Sequence, residues 1–86
     1  MGDDLRGKVL QDLSDLSHVP VPQIKDTDKL ADDLNLTHND LVFLTMSLLA
    51  AIQQHKPSAT LKVSEVEKPG MTVGDLVTLV NAKVQP

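Results

Sequence analysis

Cysteine, tryptophan and tyrosine are absent from the 86 residues, and Phe43 is the single aromatic. Without thiols there is no disulfide framework, no thiolate zinc site and no cysteine nucleophile, and cysteine usage leaves the redox compartment open. A chain that is 41% hydrophobic and 1% aromatic must build its core from Leu, Val, Ile, Met and Ala, which suits packed helices better than a β-sandwich. Positive charge is also scarce. Eight Lys and Arg stand against twelve Asp and Glu, a net charge of -4, so the electrostatic footprint of a phosphate-tracking protein is missing and nucleic acid is not an expected partner. No apolar run approaches the ~20 residues needed to span a bilayer, and Met1-Gly2-Asp3-Asp4 is acidic where a secretory signal would be basic. Arg6 stands where a myristoylation motif wants Ser or Thr. No membrane role is expected, and the default is a soluble cytoplasmic protein. Glycine-rich phosphate loops, paired-carboxylate signatures and nucleophile elbows are lacking, so an enzyme is not expected. At this length one domain covering 1–86 is expected, hiding about 60–65% of the surface of an extended chain.

What is present is helical periodicity interrupted by proline. Leu5, Val9, Leu13 and Leu16 recur at helical spacing and predict a first helix over 3–17 that Gly7 weakens only modestly. The run His18-Val19-Pro20-Val21-Pro22 stops it, since each proline lacks an amide donor and pushes its predecessor toward extended conformations. A long loop follows. Its Val19, Val21, Ile24 and Leu30 are too apolar for a free linker and are expected to pin it onto the helices. Thr37 and Asp40 read as a capping box that opens a second helix over 40–54. Ser64 and Glu67 repeat that spacing and predict a short third helix over 64–68, ended by Pro69-Gly70. Thr72 and Asp75 open a fourth, with Val73, Leu76, Val77, Val80 and Val84 as its apolar stripe, running to the C-terminus.

Three main helices, a short one before the last and a long ordered first loop resemble the acyl carrier proteins and other phosphopantetheine-binding carrier domains. The segment Leu30-Ala31-Asp32-Asp33-Leu34-Asn35-Leu36-Thr37-His38-Asn39-Asp40-Leu41-Val42-Phe43-Leu44 follows the family's acidic pair, Leu-Gly and Asp-Ser-Leu run without gaps, and Asp33-Leu34 and Leu44 fall in place. Met71-Thr72-Val73-Gly74-Asp75-Leu76-Val77 is similar to the start of the family's last helix. The resemblance implies an all-α, acyl-carrier-protein-like four-helix bundle. It also exposes a departure. The family's attachment serine corresponds to His38, with Thr37 in place of its Asp and Asn39 in place of its Leu. Imidazole cannot form the phosphodiester, so phosphopantetheine is not expected and no cofactor is foreseen. Thr37 is one residue early and is better used as the cap, and the serines have no carrier-like context.

The second departure lies on the outer face of the second helix, which in the family is acidic and docks onto basic enzyme patches. At ~100° per residue, Leu41, Leu44, Leu48, Leu49 and Ile52 share one core stripe, while Phe43, Met46 and Ala50 gather on the opposite side. Phe43, Leu49, Ala50 and Ala51 stand where the family commonly has acids, and Asp40 keeps one acidic position. An apolar outer face needs a cover, either the segment 53–63 folding back with Leu61 and Val63 or a partner. Asp40, Phe43, Met46 and Ala50 are the candidate interaction surface. His38 is read as a polar residue of the first helical turn. His18, His38 and His55 lack metal-ligand spacing, and Asp26, Asp28, Asp32 and Asp33 lack the glycine and terminal glutamate of a calcium loop. The expectation is a non-catalytic interaction module whose partner is a protein of acyl, fatty-acid or secondary metabolism or another copy of itself. The alternatives are a functional acyl or peptidyl carrier with a non-standard or mutated attachment site, and an unrelated helical adaptor.

Overall fold

Leu5, Val9 and Leu13 repeat every fourth residue and are all buried, with Leu10 and Leu16 packed beside them. This stripe forms α1, Leu5–Ser17. A computed structural model describes residues 5–85, so Met1-Gly2-Asp3-Asp4 and Pro86 lie outside the described residues, including the first two positions of the helix expected over 3–17. Asp3 and Asp4 apart, that helix matches its expectation. It stops through backbone geometry as well as proline. His18 turns left-handed at φ 64 and donates its amide to the Ser14 carbonyl at 2.8 Å, just before Pro20.

The long loop is ordered by three devices. Val21–Gln23 forms a 3₁₀ turn begun by Pro20 and Pro22. Asp28 and Asp33 accept hydrogen bonds from the Lys25 and Lys29 amides at 2.9 and 2.7 Å, so two carboxylates hold turns. Three main-chain bonds then tie the loop to the segment entering the last helix: Leu30 N–H to Met71 O, Val73 N–H to Asp28 O and Gly74 N–H to Asp26 O, at 3.0, 2.9 and 2.9 Å. Ile24 and Leu30 are buried as expected and Val19 packs against the core, whereas Val21 is half-buried within the 3₁₀ turn. Gly74 suits this approach, since a β-carbon there would sit 3.3 Å from the Asp26 carbonyl oxygen, tighter than an ordinary contact.

Helix α2, His38–His55, begins after the expected box: Thr37 Oγ1 accepts from Asp40 N–H and Asp40 Oδ2 accepts from Thr37 N–H. Leu41, Leu44, Leu48 and Ile52 are buried along it, and Leu49 is half-buried at the edge of the stripe. Thr45 shares that inner face and satisfies its hydroxyl by donating to Leu41 O at 2.7 Å.

The third helix departs from expectation. Helix α3 is Val63–Val66, and the capping acid is Glu65, which accepts from the Lys62 amide at 3.0 Å. Glu65 also receives Lys83 Nζ at 2.8 Å, which ties α3 to the last turn of the following helix. Helix α4, Val73–Lys83, carries the second Thr–Asp box, Thr72 with Asp75, and buries Val73, Leu76, Val77 and Val80. It ends at Lys83 with Val84 as its cap, short of the C-terminus. The described residues contain four α-helices and no strand, only an isolated Lys29–Thr72 bridge, so the fold class is all-α. Helix α1 packs on α2 and α4 around one aliphatic cluster.

Leu48 has no exposed surface in that cluster, and Leu48→Ala should cost ~2–5 kcal/mol, read as a lowered denaturation midpoint. Glu65 is held below the usual carboxylate range, first by the Lys83 ammonium and then by the Lys62 amide. A depressed native pKa contributes stability above the unfolded value of about 4.3 that is lost as pH falls through the native value. Thermal melts of Glu65→Gln should therefore lie below the parent at neutral pH and converge on it in acid.

Candidate functional site

The head of α2 places the residue aligned with the attachment serine at the first helical position. His38 follows the Thr37 cap directly, and both side chains face solvent with Asn39. Its Nδ1 lies 2.7 Å from Glu67 Oε1. A carboxylate only accepts, so Nδ1 carries the shared hydrogen. The pair joins the start of α2 to the end of α3, and it is exposed, 64% for His38 and 39% for Glu67, so solvent screens it. Glu67 was expected to cap the third helix. Once the cap moves to Glu65, Glu67 is released toward His38, a link for which the sequence spacing carries no signal.

Beside this link a cavity of about 370 Å³ opens between the first loop and the turn after α3. Leu30, Leu36, Leu41 and Val66 belong to its apolar lining, while Lys29, Asp32, Glu67 and Lys68 supply charge of both signs. Among the described residues no hydroxyl is hydrogen-bonded to His38, and the neighbouring Thr37 Oγ1 is engaged as the helix cap. The arrangement orients an imidazole without presenting a nucleophile to it.

No described residue covers the outer face of α2. Phe43 and Met46 expose 63% and 62% of their surface, and Ala50 lies open beside them. The segment 53–63 does not fold back over them. Gln53 Nε2 donates to Ala59 O at 3.1 Å, and Ala59 and Leu61 are buried in the main core, so this segment closes the end of the bundle. Ala59 and Leu61 face inward because the core offers them more contact than a helix exterior.

Along its edge this face meets α1. Asp12 and Asp15 border a crevice with Phe43 and Ser47 at one end of the seam. Lys8 borders another with Ser47, Ala50, Gln54 and His55 at the other end. The two helices therefore run antiparallel. Asp12 Oδ1 lies 3.3 Å from Lys8 Nζ, while its Oδ2 is buried without a hydrogen-bond partner. Asp40, the remaining member of the expected surface, is occupied by the cap and half-buried. In dilute protein Phe43→Glu should leave thermal stability within ~0.5 kcal/mol of the parent, because an exposed side chain is exchanged without a buried charge. Comparison with protein-family models, with curated proteins and with solved structures gives no match.

Proposed function

We propose that this chain is an acyl-carrier-like domain without an attachment hydroxyl, a non-catalytic module that works by binding a protein of acyl or secondary metabolism or a second copy of itself. The observation that carries the reading is His38 at the first position of α2, behind a Thr37 hydroxyl already engaged as cap. The order of elements supports it: a helix, a long pinned loop, a long helix, one short turn of helix and a last helix. The exposed Phe43 and Met46 supply the binding face, since burying each against a partner contributes ~1.5–3 kcal/mol, against ~0–1 for an exposed ion pair. Apolar anchoring thus replaces the electrostatic docking of the resembled family.

Intact mass after incubation with coenzyme A and a promiscuous phosphopantetheinyl transferase tests the missing hydroxyl. The mass should stay unchanged, and a gain of one prosthetic group would make the chain a working carrier. His38→Ser alone should still be modified poorly, because Thr37, Asn39 and Phe43 also differ from the resembled family's pattern. Conversion as ready as that of an ordinary carrier would mean that the outer face of α2 plays no part in recognition.

A further inference from the structure

The uncovered face of α2 has an internal symmetry. Asn39, Phe43, Ala50 and Gln54 form a stripe along the helix with Met46 and Ser47 at its middle. Phe43 and Ala50 are equally far from that middle, as are Asn39 and Gln54. The pattern reads polar, large, centre, small, polar. Inverted on itself, it sets the phenylalanine of one copy over the alanine of the other, and amide over amide. The seam with α1 is also unequal in charge, with Asp12 and Asp15 beside Phe43 and, beside Ala50, Lys8, whose ammonium lies 3.3 Å from Asp12 Oδ1.

We propose that this face docks on the same face of a second copy of the chain, with the two α2 helices antiparallel about a two-fold axis near Met46 and Ser47. The proposal rests on the interaction-module reading and names its partner. A two-fold axis perpendicular to α2 in the plane of contact leaves both α1 helices on one side and reverses their direction. The acidic end of each seam then faces the basic end of the other, so Asp15 approaches Lys8 of the second copy, and the reciprocal pair forms by symmetry. Parallel α2 helices would place Phe43 against Phe43 and send the two α1 helices to opposite sides, with no charge match. The charge pattern therefore selects the antiparallel arrangement. A stripe of one helix is smaller than the ~800 Å² per partner of a standard interface, so the dimer is weak and reversible, with a Kd of about 10 µM to 1 mM.

Sedimentation equilibrium at low salt, from about 10 µM to 2 mM, reads this directly. The parent mass should rise from monomer toward dimer across that range. Phe43→Glu should lower the association constant tenfold or more. Asp15→Lys and Lys8→Glu should each weaken association several-fold, and the double variant, in which both reciprocal pairs are rebuilt with reversed sign, should return close to the parent. Circular dichroism of each variant confirms that it is folded. A parent that stays monomeric to 2 mM overturns the proposal, as does association indifferent to Phe43→Glu or a double variant no better than the singles. Failure here is separate from failure of the carrier-like reading, which the mass measurement decides.

Discussion

Three main-chain hydrogen bonds between the first loop and the entrance to α4 hold the parts of this bundle in relation to one another. The core is aliphatic throughout, and no aromatic ring is available to lock the loop by its bulk. Pinning is done by the backbone instead, with Ile24 and Leu30 inserted beneath it. Gly74 permits the approach, and the carboxylates of Asp28 and Asp33 set the turns that aim the strand-like pair at Lys29 and Thr72. With the loop fixed, Leu34 and Leu36 are carried into the core and Thr37 is delivered as the cap of α2.

That placement gives α2 two unlike faces. The inner one lies in the core, with Leu44, Leu48 and Ile52 wholly enclosed. The outer one carries the chain's single aromatic residue in solvent. In a small domain that needs every buried carbon, a phenylalanine outside the core is apolar area withheld from folding, and it is available for association. In the proposed dimer, Asp15 and Lys8 at the α1 seam give that stripe a direction.

The head of α2 is organised differently. His38 and Glu67 join two helix ends across the surface rather than through the core, and as an exposed pair they add little to stability. The cavity beside them is bounded by the same loop and turn, with Glu67 shared between cavity and link. The lining there mixes apolar side chains with charges of both signs, whereas the α2 exterior exposes Phe43, Met46 and Ala50.

Much of the fold was legible in the residues. The spacing of Leu5, Val9 and Leu13, the two Thr–Asp boxes at 37–40 and 72–75 and the stripe from Val73 to Val80 are local signals, and each depends on backbone periodicity or on a side chain bonding its own helix start. The apolar outer face of α2 was visible on a helical wheel for the same reason. What stayed hidden depends on residues far apart in sequence. Locally Ser64–Glu67 is the better frame, because a serine hydroxyl can accept a capping bond and a lysine ammonium cannot. The helix nevertheless starts after Lys62, with Glu65 held by Lys83, eighteen residues downstream, and Glu67 left to His38. Whether 53–63 covered Phe43 was undecidable locally, since Ala59 and Leu61 suit either face and only the space left at the end of the core draws them in. Short-range hydrogen bonding and period are written residue by residue, whereas competition among distant partners for one side chain is resolved only when the helices have packed.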